Sequence, residues 1–361
     1  MNKEIDFSEA VFIIFGFIVG NSILIIPGIE AENLAWLVNV VATFIGMGLI
    51  YFYVKLSIMN NGQDIISICI KRLGPIIGKT IALGYVWYFF HLGALVIRDL
   101  TEFATLVSYP STPQAFIGVL VMLLAISLVR NGIEVIAKFT QVVIPLVIAA
   151  IVVLSLLLIN QMDVNNLKPF FSVEFKPFFK ALFSTISFPY AEAVVLTVIF
   201  PFVKPGKIDI YLSVGTILFA GMILTLVTLT TILSLGNIAQ TATFPAFEAA
   251  RTISVFDFIE RVEVISDVSF LIGTIVKLTV CLFGVSVGLS KILNLKGYQS
   301  LVIPIAILMG NLSLILYENI SELIMWSAEI YPYYAVPFQF FIPGLLFILS
   351  LFGSKKSSSQ S

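Results

Sequence analysis

The chain has 361 residues, of which 59% are hydrophobic and only 11% are charged. Soluble globular domains average about 25% charged residues, so this composition excludes a soluble protein and indicates a polytopic protein of the lipid bilayer. The formal net charge of −1 suggests no nucleic-acid partner. One histidine and two cysteines offer no metal-ligand cluster or disulfide, and we expect neither a cofactor nor a bound metal.

A helix needs about 20 apolar residues to cross a bilayer, and ten segments of the chain approach this length. We therefore predict a single all-α transmembrane domain over residues 1–361 that ends in a cytoplasmic tail at 353–361. Cys69 falls in a predicted loop after the second segment. The ten segments lie near residues 8–30, 34–59, 79–107, 114–130, 134–159, 180–203, 209–236, 263–294, 299–317 and 334–352.

The basic residues predict how these helices are oriented. Thirteen of the 20 lysine and arginine residues fall on the side of the N-terminus, five on the other side and two within helices. Because cytoplasmic loops carry an excess of basic residues, we expect both termini in the cytoplasm. An even number of helices agrees with this orientation.

Two of the ten segments contain residues that interrupt a helix near its middle. The first segment carries the stretch from Gly20 to Gly28, which includes Pro27, and the sixth carries the stretch from Ser187 to Glu192. Lipid cannot hydrogen-bond free backbone groups, so an interrupted spanning helix must line a cavity or pack inside protein. Breaks at matching positions in two halves of a chain indicate a transporter-type binding site.

A division into five and five helices gives two repeats, near residues 8–159 and 180–352. Five is an odd number, so the second repeat enters the membrane from the opposite side. The first and sixth segments then correspond to each other, and both are broken. This pattern predicts an inverted repeat whose half-helix ends meet near the midplane.

The extracytoplasmic segment at 238–262 alternates apolar and charged residues at roughly helical spacing. We predict short interfacial helices over the outer mouth of the protein. The segment could act as a tether on the membrane surface or as a moving lid. The residues of this pattern are Phe244, Phe247, Ile253, Phe256, Ile259 and Val262 with Glu248, Arg251, Asp257 and Glu260.

The motifs resemble a known superfamily. Gly20-Asn21-Ser22-Ile23-Leu24-x-x-Pro27-Gly28 resembles the Gly-Ser-Gly-Ile-Phe-x-x-Pro-Gly signature in helix one of the amino acid/polyamine/organocation permeases. Phe188-Pro189-Tyr190-Ala191-Glu192 is similar to their helix-six Phe-x-Gly-x-Glu stretch. Further pieces resemble the B subunits of spore germinant receptors more narrowly: Phe188-Pro189-Tyr190-x-Glu192 with Pro201-Phe202, Arg98 with Glu102 and Thr112-Pro113, Arg130-Asn131-Gly132-Ile133-Glu134-Val135-Ile136, Phe244-Pro245 with Arg251, and Lys277.

The resemblance covers nearly the whole chain and implies a LeuT-like fold with a membrane-embedded site for a small, L-alanine-like amino acid. It also implies a place in the inner membrane of bacterial spores and two partners, an A subunit and a lipoprotein C subunit. Ser22 and Tyr190 stand where permeases carry glycine. Both would add bulk where a substrate lies, which favours a small ligand and argues against ordinary transport.

An unwound helix offers complements to both charged groups of an amino acid. We expect the N–H groups of Asn21, Ser22 and Ile23 to bind the carboxylate, and carbonyls near Val19, Gly20 and Phe188 to accept from the ammonium. Alternatively, Gly20 merely permits close helix packing. The predicted ligand-binding residues are Gly20, Asn21, Ser22, Ile23, Leu24, Phe188, Pro189 and Tyr190.

Glu192 and Lys277 lie at similar depths, near the midplane, in the sixth and eighth segments. Ionisable groups inside a membrane are costly and are functional candidates by default. We expect the two side chains to approach each other directly or through water, which would offset the cost of each charge. Alternatively, Glu192 is protonated and bonded locally while carbonyls cap Lys277. Either arrangement could make Glu192 sensitive to protons, because burial disfavours its charged form.

The third segment carries His91, Arg98, Asp99 and Glu102, and three of these lie on one helix face, namely His91, Arg98 and Glu102. Arg98 and Glu102 could form an outer gate or an intersubunit contact, or could pair with each other and reach the outer interface. His91, together with Tyr88, could line the pocket, or His91 could be an ordinary core residue.

The sequence carries no phosphate-binding glycine loop and no Ser/His/Asp arrangement, so we do not expect an enzyme. Our first hypothesis is a germinant-sensing subunit that binds a small amino acid at the two breaks. The alternative is a proton- or sodium-coupled amino-acid symporter, for which Ser286 and carbonyls of the first helix could hold sodium. A scaffold with a dead site, or a conduit for ions, is a third possibility.

Overall fold

The computed structural model describes residues 4–169, 175–253 and 262–354. Nine helices within these ranges are long and apolar enough to cross a membrane, and a tenth, of 17 residues, is slightly shorter. Each of the ten predicted segments corresponds to one of these helices. They are α1 Phe7–Ile25, α2 Ile29–Met59, α3 Ile77–Ser108, α4 Gln114–Asn131, α5 Ile133–Gln161, α6 Phe175–Phe202, α7 Ile210–Leu235, α8 Glu263–Ile292, α9 Gln299–Ile315 and α10 Ile320–Phe352.

Both predicted breaks are present. Regular helix in α1 ends at Val19, and after Gly20 and Asn21 a single turn follows over Ser22–Ile25. Ile26 and Gly28 have positive φ angles of 40° and 83°, which turn the chain towards α2. The Asn39 amide donates to the Pro27 carbonyl at 2.8 Å, which satisfies one backbone group at this turn.

The break in α6 has a different form. An α-helix over Phe175–Thr185 leads into an irregular turn over Ile186–Tyr190, in which Phe188 is extended with φ −129° and ψ 119°. The chain then continues as a 3₁₀ helix over Ala191–Phe202. Runs of 3₁₀ helix longer than four residues are uncommon and often mark functional regions.

The helices differ in how deeply they are buried. In the apolar 18-residue stretch of α8, 83% of the residues are buried inside the protein, whereas in that of α4 only 28% are. α8 packs against α1, α3 and α6, and α1 also packs against α5 and α7. The core of the bundle therefore surrounds the two broken helices, while α4 turns much of its surface towards lipid.

The structure differs from the sequence prediction at the start of α10 and at Cys69. α10 begins at Ile320 rather than near residue 334. Cys69, which we expected in a loop, lies buried in an amphipathic helix over Ile65–Leu73. This short helix begins at Asp64, whose carboxylate caps it by accepting from the Ser67 N–H at 3.0 Å.

The described part of the 238–262 segment forms short helices over Ile238–Thr241 and Pro245–Arg251, as predicted. The rings of Phe244 and Phe247 lie 5.0 and 5.6 Å from that of Phe103, so the segment packs onto the end of α3. The predicted positions Phe256 and Ile259 lie outside the described residues, as does most of the predicted tail. A role as tether or lid stays a prediction.

Polar contacts join the elements at the N-terminal side of the bundle. The Ile5 N–H donates to the Phe202 carbonyl at 2.9 Å, and Lys204 pairs with Asp6 at 2.9 Å. The start of α1 is therefore tied to the end of α6. Nearby, Lys291 of α8 pairs with Asp64, whose side chain is 1% exposed.

Candidate functional site

A cavity of about 520 Å³ lies beside the breaks in α1 and α6, and we call it the break cavity. Its walls come from the second half of α1, the middle of α3, the irregular part of α6 and the first half of α10. Residues 240–245, which follow the end of α7, form part of its lining, so it lies on the side of the breaks away from the N-terminus. Its lining includes Asn21, Asp99, Phe188, Glu192, Phe244 and Tyr331.

Asn21 lies at the break of α1 and joins two charged side chains. Its amide Nδ2 donates to Asp99 Oδ2 at 2.6 Å, and its Oδ1 accepts from Lys277 Nζ at 3.0 Å. The side chain is buried at 2% exposure. A residue of the interrupted stretch thus links α1 to both α3 and α8.

Lys277 and Glu192 are in direct contact, as their similar depths predicted. Lys277 Nζ lies 2.5 Å from Glu192 Oε2, and the two side chains are 0% and 1% exposed. The ammonium also lies 4.5 Å from the centroid of the Phe188 ring, within the range of a cation–π contact. Each charge has an opposite charge as its neighbour, the condition under which burial is tolerated.

Hydrogen bonds continue from Glu192 into α10 and back to α3. The Tyr331 hydroxyl donates to Glu192 Oε1 and lies 3.1 Å from the Tyr88 hydroxyl. Gln339 Nε2 donates to the Tyr88 hydroxyl at 2.9 Å, and the Ser187 hydroxyl donates to Gln339 Oε1 at 2.9 Å. We call the resulting row the polar chain; in order it comprises Asp99, Asn21, Lys277, Glu192, Tyr331, Tyr88, Gln339 and Ser187.

The structure separates the predicted ligand-binding residues into two groups. Asn21 and Phe188 line the break cavity, whereas the other six do not. The Ser22 hydroxyl donates to the Ile18 carbonyl at 3.1 Å, so it bonds within its own helix. Ile23 and Leu24 are buried in the apolar core, and Pro189 is buried within the turn of α6.

Tyr190 and Gly20 also differ from the prediction. The Tyr190 hydroxyl lies 2.8 Å from the Thr43 hydroxyl of α2, and its ring packs against Gly46. Tyr190 therefore packs between α6 and α2 and lies outside the lining of the break cavity. At Gly20, the carbonyl oxygen packs against Gly273 of α8, where an added Cβ would lie only 2.6 Å from it. Close helix packing, the alternative we considered for Gly20, is thus present at this position.

His91 lies among aromatic side chains rather than in the lining of the cavity. Its ring stacks on Trp87 with centroids 5.8 Å apart and meets Trp326 and Tyr334 edge to face at 5.3 Å. This is the core environment that we considered as the alternative to a ligand role.

Arg98 and Glu102 pair with each other at 2.5 Å, as one alternative predicted. Both side chains are buried, so they do not extend to an outer interface. Arg98 also donates to the carbonyls of Ser313 and Leu314 at the end of α9, at 3.4 and 3.3 Å. The pair therefore faces α9, and its role as a gate or intersubunit contact stays a prediction.

Three members of the polar chain were given no role by the sequence, namely Asp99, Tyr331 and Gln339. Asp99 adjoins Arg98 but projects to the other side of α3, where it meets Asn21. Tyr331 preceded the predicted start of the tenth segment. The contact of α8 with the α1 break is made by Gly273 and Lys277, whereas Ser286 lies nine residues further along the helix.

The overall structure resembles a solved transporter-type fold. The crystal structure of MhsT in complex with L-phenylalanine superposes with a TM-score of 0.66, covering 97% of this chain and 96% of that one, at 15% sequence identity. At this identity the likeness shows the fold alone. The protein is therefore a multi-pass membrane protein with a LeuT-like fold in which α1 and α6 are broken.

Sequence comparison gives the family. A family model described as "Spore germination protein" matches residues 4–322, and the chain belongs to this family, as its motifs indicated. It is 27% identical to spore germination protein KB of Bacillus subtilis over 98% of this chain and 96% of that protein. It is 22% identical to the putative spore germination protein YfkT of the same species, covering 90% of each, and 21% identical to spore germination protein XB of Bacillus anthracis over 61% and 62%. Family and fold are of the permease and transporter type rather than that of enzymes.

Proposed function

We propose that this chain is the germinant-sensing membrane subunit of a spore germinant receptor. It binds a small, L-alanine-like amino acid in the break cavity. It acts with an A subunit and a lipoprotein C subunit in the spore inner membrane, with both termini in the cytoplasm. Residues 8–159 and 180–352 form its two inverted repeats within one domain.

The observation that carries the proposal is the position of the polar chain along the wall of the break cavity. Asn21, Asp99, Glu192 and Tyr331 all line the cavity and belong to four different helices. A ligand that changes one of these contacts changes a hydrogen bond between α1, α3, α6 or α10. Ligand occupancy is in this way coupled to the arrangement of the broken helices.

The cavity suits a ligand of the proposed size and character. Its volume of about 520 Å³ exceeds that of a small amino acid and lies within the ordinary range of ligand pockets. Apolar groups such as Leu92, Leu95 and Phe188 complement a short aliphatic side chain. Backbone groups near Asn21 remain the proposed partners of the ligand carboxylate.

A sensor responds only through different ligand affinities in its two states. In this structure the N-terminal side is held together by the Asp6–Lys204 and Asp64–Lys291 pairs, while the break cavity lies on the other side. A ligand that favours closure of the cavity would alter the balance between these two ends. The partner subunits would detect the change.

A proton- or sodium-coupled amino-acid symporter is the second candidate. The observation in its favour is the buried carboxylate of Glu192 at the cavity wall, because intramembrane carboxylates serve as proton relays in transporters. In this reading the polar chain would reorganise in each transport cycle.

The deciding experiment uses purified protein in sealed proteoliposomes with a panel of labelled L-amino acids that begins with L-alanine. Bound and accumulated label would be followed over time, with and without proton and sodium gradients. Saturable binding near one ligand per protein without accumulation supports the sensor. Accumulation driven by a gradient supports the symporter, and the absence of binding by every compound would contradict both and favour a scaffold.

A further inference from the structure

The charges of the polar chain do not balance. The chain holds one cation, Lys277, and two carboxylates, Asp99 and Glu192. Lys277 Nζ contacts Glu192 directly at 2.5 Å, whereas Asp99 receives its hydrogen bond from the neutral amide of Asn21 at 2.6 Å. A carboxylate away from bulk water is costly unless a cation compensates it. Asp99 is therefore the member of the chain that lacks a cationic partner of its own.

Asp99 is accessible from the break cavity. It is partly buried and belongs to the lining, whereas Lys277 is fully buried behind Asn21 and Glu192. The other carboxylates of the described lining are Glu30, Glu32 and Glu192. Lysine and arginine are absent from the described lining, so the field in the cavity favours a positively charged group.

The backbone offers less to a cation here than the sequence suggested. We expected the Gly20 carbonyl to accept from a ligand ammonium, but this oxygen packs against Gly273 of α8. The carboxylate of Asp99 lies one hydrogen bond from the same break and faces the cavity. A charge-assisted hydrogen bond to a carboxylate is also roughly twice as strong as one between neutral groups.

We propose that Asp99 binds the ammonium group of the ligand, so that the site selects compounds carrying a protonated amine over neutral sugars and nucleosides. This inference rests on the proposed function, since it assumes that the break cavity is the ligand site. The ammonium competes with the Asn21 amide for Asp99. Because Asn21 also accepts from Lys277, its release alters the contact between α1 and α8.

The test compares wild-type protein with Asp99→Asn in lipid nanodiscs. Asparagine keeps the shape and can still accept from Asn21, so the variant removes the charge with little change in packing. Binding of labelled L-alanine, and then of the other labelled L-amino acids, is measured at equilibrium. We expect Asp99→Asn to weaken binding roughly 10- to 100-fold, the range of a charge-assisted hydrogen bond.

A matched control removes a carboxylate elsewhere. Glu329→Gln makes the same change in net charge in an exposed pair with Lys180, whose side chains are 58% and 50% exposed. We expect this variant to bind as wild type does. Thermal unfolding of both variants establishes that each is folded.

Competition on the wild-type protein tests the same proposal without a variant. For L-alanine the matched competitors are ethylammonium, which keeps the amine, and L-lactate and N-acetyl-L-alanine, which lack an ammonium. We expect ethylammonium to compete, and the other two to compete at least tenfold more weakly than unlabelled L-alanine.

Three results would overturn the inference in distinguishable ways. If an L-amino acid binds saturably and Asp99→Asn retains the full affinity, the role of Asp99 is wrong while the proposed function stands. If labelled D-glucose or inosine binds saturably and amino acids do not, the role of Asp99 and the proposed amino-acid ligand are both wrong, while a germinant-sensing role stands. If none of these compounds binds wild-type protein, both proposals fail.

Discussion

The buried pair of Lys277 and Glu192 makes a quantitative prediction about stability. Lys277→Met keeps most of the side-chain volume but leaves Glu192 without its cation. Removing one partner of a buried ion pair costs about 3–5 kcal/mol, because the remaining charge is uncompensated. Both side chains are at most 1% exposed and 2.5 Å apart, so solvent screens the pair very little. We expect Lys277→Met to destabilise by an amount in this range.

The double variant Lys277→Met/Glu192→Gln removes both charges, and we expect it to be more stable than Lys277→Met alone. The coupling energy from the double-mutant cycle should exceed about 2 kcal/mol, whereas independent sites add within about 0.5 kcal/mol. The free energy of unfolding would be measured by reversible unfolding in mixed micelles. The exposed pair Lys180–Glu329, at 3.0 Å, is the matched control, with an expected coupling of about 0–1 kcal/mol. Additive single variants in the buried pair would refute the reasoning.

Three further substitutions test other contacts. Gly273→Ala places a Cβ 2.6 Å from a carbonyl of the α1 break, and we expect a loss of about 1–3 kcal/mol with weaker amino-acid binding. In the control Gly48→Ala the added Cβ meets no neighbour within 4 Å, so we expect unchanged binding and only the gain of up to about 1 kcal/mol that alanine gives over glycine in a helix. Tyr190→Phe removes the hydroxyl contact with Thr43 of α2 at a cost of about 0.5–1.5 kcal/mol, and since the Tyr190 ring lies outside the break cavity, ligand affinity should not change. Lys291→Gln removes the ion pair with Asp64 at the N-terminal side of the bundle. In a variant that lacks Cys281, we expect this change to speed maleimide labelling of the buried Cys69. An unchanged labelling rate would show that the pair does not hold this side of the bundle together.

The fold was largely predictable because the bilayer limits the alternatives. Apolar length gave the ten helices, and the polar and proline-containing stretches near Gly20 and Pro189 gave the breaks, since lipid cannot satisfy free backbone groups. The start of α10 was missed because Glu322 and Glu329 interrupt the apolar pattern before residue 334. In the structure Glu329 is exposed and pairs with Lys180, so it does not end the helix.

The sequence predicted how deep in the membrane the site residues lie, but not the direction in which each side chain points from its helix. Position along a helix placed Asn21, Glu192 and Lys277 near one level, and the structure brings these three together. Which way a side chain points depends on the neighbouring helices, and adjacent residues of a helix face directions about 100° apart. Arg98 and Asp99 are consecutive in the sequence, but Arg98 therefore hydrogen-bonds to α9 and Asp99 to the α1 break.

The same geometry explains why a ligand could act on the whole bundle from one cavity. The polar chain joins α1, α3, α6, α8 and α10 through side chains alone, and at Asn21 it includes a helix that is already interrupted. An interrupted helix can change direction without losing a continuous ladder of backbone hydrogen bonds, so the cost of moving its two halves is low. In our proposal the ligand ammonium takes Asp99 from Asn21, and it would therefore act at the interrupted helix, where this cost is lowest. Since a ligand shifts an equilibrium only by its differential affinity for two states, a contact that exists in one arrangement of α1 and is lost in the other provides that difference.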